Sequence, residues 1–293
     1  MKPEIAQQIL QKTKRDYRDL AEVFSASRFR PWLEVKSLIK KYVKDGMKIL
    51  DLGCGNGRLL ELLKEGVVEY VGVDSCERLI QIAKQKPEIR NPTTAHFQWV
   101  GSPSPYLNLR AVAKSETNSK SQISNSKFKI PQSRTSPLRG RQNSKFRFVV
   151  ADALDLPFED KSFDLVFAIA LLHHIPSKEL RLKVLRNCFR VLKPDGFLIL
   201  TVWNLWQPKL LLKYKIWSMI FGWRPKGLDW KDIWIPWKLP QGQVQRYYHA
   251  FTAGEMKRLL KKAGFKIEEL SYVKKGQPAK WFNGWNLAMI ARP

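Results

Sequence analysis

The fifteen residues ILDLGCGNGRLLELL, Ile49 to Leu63, decide what kind of chain this is. MKILDLG (47–53) contains a short apolar run of the kind that forms a buried strand. Glycines at 53, 55 and 57 then allow a sharp reversal and a close approach of a ligand to the backbone, and RLLELLKEG (58–66) has helical spacing with Gly66 as its stop. A strand, a glycine turn and a helix form either a tight connection or the floor of a binding site, and GxGxG alone does not decide between them.

The flanking sequence repeats the rhythm. EYVGVD (69–74) reads as a second strand and ERLIQIAKQK (77–86) as a second helix ending before Pro87. After a long interruption come strands FRFVVAD (146–152), FDLVFAIALLHH (163–174) and FLILTVWN (197–204), with a helix over roughly 178–191 and the turn KPDG (193–196) between the last two. Strands alternating with helices predict an α/β fold with a doubly wound, mostly parallel sheet. A helix in TAGEMKRLLKKAGF (252–265) and strands KIEELSYV (266–273) and WNLAMIAR (285–292) would complete about seven strands, the terminal pair antiparallel.

Ahead of this unit, residues 4–24 place Ile5, Ile9, Tyr17, Leu20 and Phe24 near one helical face, and a second helix follows Pro31. The expected organisation is a helical extension over 1–45 and an α/β domain over 46–293. Residues 88–145, rich in Ser, Asn, Lys and Arg with near-repeats of Asn-Ser-Lys-Phe, read as a basic low-complexity insertion. Residues 204–245 read as a Trp-rich helical lid, and 203–237 hold seven of the eleven tryptophans.

Lys and Arg outnumber Asp and Glu by 52 to 26, a formal charge of +26. That surplus predicts a polyanionic partner, nucleic acid first and an anionic membrane surface second, unless a basic insertion accounts for it. Cys54, Cys76 and Cys188 have neither disulfide-framework nor zinc spacing, so no metal site is expected and the compartment reads as reducing. With no signal-peptide core and no run of eighteen apolar residues, the chain reads as soluble and cytoplasmic, peripheral membrane contact aside.

In an open α/β sheet ligands bind beyond the carboxyl ends of the strands. Asp74 ends the second strand about twenty residues past the glycines, where a carboxylate can accept both hydroxyls of a ribose. Asp152 ends the third, where it can meet an adenine amino group while the Ala153 N–H serves a ring nitrogen; a turn or helix cap is its alternative role.

Five stretches in order, ILDLGCGNG, YVGVD, VADALDLPF, FDLVFAIALLHHI and FRVLKPDGFLILTVW, resemble the Rossmann-like S-adenosylmethionine-dependent methyltransferases. The GCGNG turn departs from the G-x-G-x-x-G spacing of a dehydrogenase. The resemblance implies that Asp51, Gly53, Cys54, Gly55, Asn56 and Gly57 cradle the methionine part of the donor. Asp74 with Ser75 would take the ribose, Asp152 with Ala153 the adenine, and Ala168 completes the set.

DYRDLAEVFSASRFRPWLEVKSLI (16–39), ALLHHIPSKELRLKVLRNCFRVLKPDG (170–196) and RYYHAFTAGEMKRLL (246–260) further resemble the tRNA wobble-uridine methyltransferases. That resemblance implies esterification of the side-chain carboxylate of 5-carboxymethyluridine. Such an acid is already ionised at neutral pH, so the enzyme positions the reactants and no general base is required. Arg28, Arg30 and Trp32 would bind the substrate, and His173, His174, Arg246, Tyr247 and His249 would position it. Surface or core roles are the alternatives for Arg28, Arg30 and Trp32, and a self-satisfied cluster is the alternative for the RYYH group. In an extended segment His173 and His174 would point to opposite sides, so at most one is expected in the pocket.

The Trp-rich stretch suits RNA, a membrane interface or a plain apolar core. In eukaryotic relatives a small zinc-binding activator pairs along the third strand, which makes such a protein a candidate partner beside tRNA. A lipid or quinone methyltransferase with the same donor site is the main alternative function, and a non-catalytic RNA-binding protein is the next.

Overall fold

The computed structural model describes residues 1–28, 33–63, 68–86, 145–214, 216, 227–239 and 242–293. Arg30, Trp32, Gly66, Pro87 and nearly all of the 88–145 insertion lie outside them.

Helices α1 (Pro3–Asp19), α2 (Ala21–Ser27) and α3 (Leu33–Tyr42) precede the sheet. The helix expected over 4–24 is divided at Leu20, whose dihedrals of −109° and 11° break it between α1 and α2. Strand β1 (Lys48–Leu52) leads to a 3₁₀ turn over Arg58–Leu62, then β2 (Glu69–Asp74), α4 (Glu77–Lys84) and β3 (Lys145–Val150). The segment RLLEL is thus 3₁₀ and not α-helix, entered from Gly57 at φ 69°. Strands β4 (Phe163–Ile169) and β5 (Leu192–Trp203) flank α5 (Lys178–Val191); α6 (Pro208–Lys213), β6 (Asp232–Leu239), β7 (Gly242–His249) and α7 (Ala253–Lys262) follow, and β8 (Lys266–Lys274), β9 (Gln277–Ala279) and β10 (Asn286–Arg292) close the chain.

The main sheet has eight strands in the order β3-β2-β1-β4-β5-β10-β8-β9. The first five are parallel and the last three antiparallel. The strand beyond the expected seven is β9. Lys275 and Gly276 both take positive φ, 52° and 78°, the left-handed pair that closes a two-residue hairpin and returns β9 onto β8.

Apolar residues cover both faces of the sheet, which is why its central strands are apolar throughout and do not alternate. Leu50, Val71, Val166 and Leu198 pack with Leu185 and Cys188 of α5 and with Met256 and Leu260 of α7. Ile49, Tyr70, Leu165 and Phe167 pack with Val35 and Ile39 of α3 and with Ile80 and Ala83 of α4. The KPDG turn survives as a register jump, since Phe163 pairs with Leu192 but Leu165 pairs with Phe197.

Of the helical lid expected over 204–245, the structure shows helix α6 and then a two-stranded antiparallel sheet, with Asp232 opposite His249 and Trp237 opposite Val244; residues 215 and 217–226 lie outside the described residues. DIWIPWKL and GQVQRYYH carry Ile, Val, Trp and Tyr in near alternation, a pattern that suits strands. Helix α1 packs on this hairpin, with Ile9, Tyr247 and Leu228 in one cluster and Lys12 donating to the Gln245 carbonyl at 2.9 Å.

Candidate active site

A cleft opens at the carboxyl ends of β1 to β5, walled by α1, α2 and β7. Its empty volume is about 1270 Å³ counting the open mouth.

The wall at the ends of β1, β2 and β3 is acidic. Asp51 is 3% exposed and accepts a 2.7 Å hydrogen bond from the Tyr70 hydroxyl. Burial pushes its pKa up to about 7, an effect only partly offset by Tyr70. Asp74 accepts from the backbone N–H groups of Gly55 (2.9 Å) and Cys76 (2.8 Å), and burial raises its pKa against those bonds. Asp152 accepts from Leu154 N–H at 2.9 Å and pairs with Lys14 of α1 at 2.7 Å.

The glycine turn is built inward. Gly53 and Cys54 both donate to the Val73 carbonyl and Gly57 donates to Cys54, so the loop's own amides are largely spent on its shape. Gly53 has φ 74°, and a Cβ there would sit 2.9 Å from Leu171. Gly57 faces Phe148 and Ala83 and is not in the cleft wall, so its role is helix–sheet packing. Gly55, Asn56, Ser75 and Ala153 do line the cleft. Ala168 does not; it lies in the core at 1% exposure, and Ile169 and Ala170 at the strand's end take that place.

The wall formed by the end of α2, by β7 and by the ends of β4 and β5 is cationic and aromatic. Arg28 stands 4.3 Å from the Phe24 ring and 5.1 Å from Trp237, while Arg246 stands 4.5 Å from Trp237. Trp203, Tyr248 and His173 stack in sequence at 5.1 Å spacings. Both histidines line the cleft, against the expectation of one, because Leu172–His174 is a 3₁₀ turn and not extended backbone. Their rings lie 4.5 Å apart.

Hydrogen bonding fixes both imidazoles. The His174 Nδ1–H donates to the Tyr247 carbonyl (3.1 Å), so its Nε2 accepts from the Tyr17 hydroxyl (3.0 Å). Burial and Arg246 press its pKa down to about 3. His173 Nδ1 accepts from Trp203 N–H at 3.4 Å, which leaves its proton on Nε2, where it has no partner. Burial, with His174 and Arg246 beside it, holds His173 well below the usual imidazole range. Arg246 Nε and the Tyr248 hydroxyl are also buried without partners.

Strand geometry divides the RYYH group. Arg246 and Tyr248 face the cleft. Tyr247 and His249, expected to position substrate, face away into a buried network with Asp232, whose carboxylate accepts from Tyr247 (2.7 Å), His249 (2.6 Å) and Arg181 (3.2 Å). His249 Nε2 also meets Glu255 at 2.8 Å, and Lys231 pairs with the same carboxylate. Burial would raise Glu255, but His249 and Lys231 outweigh it and hold its pKa at about 2.

Sequence reasoning missed Tyr17, Tyr248 and Trp203. Period-two alternation along RYYH was the available signal for Tyr248, and the position of Trp203 at the end of a core strand was the signal for that residue. Tyr17 was read only as part of a helical face. Among the described residues no group of three or more His, Cys, Asp or Glu is placed to hold a metal ion.

Carboxylates at the ends of three successive parallel strands, beside a glycine turn, are the arrangement of the Rossmann-like methyltransferase fold. A methyltransferase-domain family matches residues 24–270, and the chain belongs to it. It is 24% identical over 221 residues to the tRNA (carboxymethyluridine(34)-5-O)-methyltransferase of Arabidopsis thaliana, covering 75% of this chain and 38% of that one. An S-adenosylmethionine-dependent methyltransferase from Methanosarcina mazei shares the fold at TM-score 0.55 and 23% identity, over 87% of this chain and 96% of the other. A Haloferax volcanii methyltransferase, solved in complex with the Trm112 methyltransferase activator, aligns at TM-score 0.53 and 15% identity over 96% of each chain.

The residues present fit the donor. Asn56 Oδ1 is buried without a partner in the acidic wall, an acceptor for the donor's ammonium beside Asp51. Asp74 retains acceptor capacity beyond its two backbone bonds.

Proposed function

We propose that this chain methylates the carboxylate of a 5-carboxymethyluridine at the wobble position of tRNA. The observation that carries the reading is a group of unpaired hydrogen-bond donors in the cleft wall. Arg246 Nε–H, His173 Nε2–H and the Tyr248 hydroxyl are buried and unpartnered, and the guanidiniums of Arg28 and Arg246 line the same cleft. Unpaired buried donors call for an acceptor group, and two cations call for an anion.

Bound S-adenosylmethionine supplies an electrophilic methyl group on a sulfonium. Asp51 and Asn56 hold its amino-acid end, Asp74 with Ser75 its ribose, and Asp152 with Ala153 its adenine. Arg246 and Arg28 fix the acceptor carboxylate, and the stacked rings of Trp203 and Tyr248 offer a face for the uracil. Neither imidazole serves as a base, because a group held far below neutrality is poorly matched to proton abstraction at pH 7. An ionised acceptor needs no such base.

An activator subunit belongs to the same proposal. Strand β3 is an outer strand of the sheet, with Lys145, Arg147 and Val150 exposed; among the described residues no strand pairs with its outer edge, which suits strand addition.

The test uses tRNA that carries the free acid, labelled from radioactive donor with and without an added activator. The expected product is a label at the wobble nucleoside that mild alkali releases, as an ester requires. Alkali-stable label, or label on a lipid and none on tRNA, would overturn the proposal.

A further inference from the structure

A second groove lies on the far side of Trp203. It is lined by Trp203, Asn204, Gln207, Leu210, Trp285 and Asn286, with Lys209 at its edge. Trp203 belongs to both walls, so groove and cleft are neighbours through one indole. Four features stand out. Trp281, Phe282 and Trp285 are 56%, 43% and 42% exposed, on the turn between β9 and β10. Lys274 and Lys275 stand 5.8 and 5.9 Å from the Trp285 ring, and Lys280 stands 6.0 Å from Phe282. From Leu270 to Pro293 the sequence has four Lys or Arg and no Asp or Glu. Asn286, only 5% exposed, lines the groove, and its side-chain oxygen is buried without a hydrogen-bond partner.

The turn is held in place. Asn204 donates to the carbonyls of Trp281 (2.6 Å) and Gly284 (2.9 Å), so the end of β5 fixes the aromatic rim. A fixed rim of aromatic faces with interleaved ammonium groups is a stacking platform for bases joined by phosphates. The groove floor carries amide groups, among them the open acceptor of Asn286, which suits the polar edge of a nucleobase; an acyl chain would leave that oxygen unpaired.

We propose that this groove and its rim bind the single-stranded RNA that flanks the nucleotide held in the cleft. A neighbouring base stacks on Trp285, its edge is read by Asn286, and the Lys274, Lys275 and Lys280 ammonium groups meet the adjoining phosphates. The proposal rests on the tRNA reading of the cleft for its biological substrate, but its binding surface is tested separately.

The probe is an anticodon stem-loop RNA, with affinity measured by fluorescence anisotropy across salt concentrations on the full chain. Trp285→Ala should weaken binding roughly 5- to 100-fold, the range for loss of one stacked base. A Lys274→Ala, Lys275→Ala, Lys280→Ala variant should reduce the slope of log affinity against log salt by about 2, as the loss of three phosphate contacts on a single strand requires. Donor affinity by calorimetry reports that the cleft of each variant is folded. Folded variants that bind the RNA as well as the parent overturn the proposal. So does a loss of binding to phosphatidylserine vesicles with RNA binding retained, which would assign the rim to a membrane. If RNA binding falls as expected while no tRNA is ever methylated, the docking surface stands and the acceptor assignment fails. If tRNA is methylated with unchanged KM by Trp285→Ala, the acceptor assignment stands and the docking surface fails.

Discussion

Asp51 joins burial to ligand binding. Its carboxyl is held at about 7 against 3.8 in an open chain, so the donor-free protein loses stability as the pH rises through 7 and the buried group ionises. A donor ammonium reverses that preference by pairing with the carboxylate. Affinity for S-adenosylmethionine should therefore fall by up to about tenfold per unit as the pH drops below about 7, and Asp51→Asn should flatten the profile. Calorimetry from about pH 6 to about pH 8 checks this; a flat profile in the parent protein would show that Asp51 does not sense the ligand. Arg246 makes the contrasting case for the acceptor. Arg246→Ala removes a charge-assisted partner for the substrate and should lower kcat/KM by roughly 10- to 100-fold while donor affinity holds. Steady-state kinetics with tRNA beside donor calorimetry separates the two effects.

At the level of elements, β7 has two faces with different tasks. One presents Arg246 and Tyr248 to the cleft, and the other anchors the strand through Tyr247 and His249 on Asp232. Asp232 is fully buried and compensates Arg181, itself 1% exposed, so Asp232→Ala strands a guanidinium in the interior. The expected cost is about 3–5 kcal/mol, read by urea denaturation. That Asp51, Asp74 and Asp152 would meet in one cleft was legible in the sequence because each lies at or just past the end of an apolar strand, and strand ends can be counted. The acceptor half was less so. RYYH was taken as one cluster, whereas a strand divides such a group by parity. The number of tryptophans in 203–237 likewise suggested a helical lid and obscured the alternation that builds the hairpin. The histidine pair was misjudged through one backbone assumption, extended in place of 3₁₀.

For the whole molecule, charge is the dominant property. Residues 88–144 contain nine Lys or Arg and two Glu, so most of the +26 lies outside that stretch. RNA affinity should therefore fall steeply with salt even after 88–144 is replaced by a short linker between α4 and β3. Such a variant should keep its donor affinity, because the described cleft contains none of those residues. Filter binding and calorimetry on that deletion protein check both outcomes. Helix α1 lends the molecule a different kind of consequence. Lys14 and Tyr17 lie one helical turn apart and both line the cleft, with Lys14 paired to Asp152 and Tyr17 bonded to His174. A ligand that reaches Asp152 must therefore share that carboxylate with a protein ammonium or displace it. The Lys14–Asp152 pair is exposed enough to be worth under about 1 kcal/mol, so Lys14→Ala should change affinity for the methyl donor by about fivefold at most, read by calorimetry.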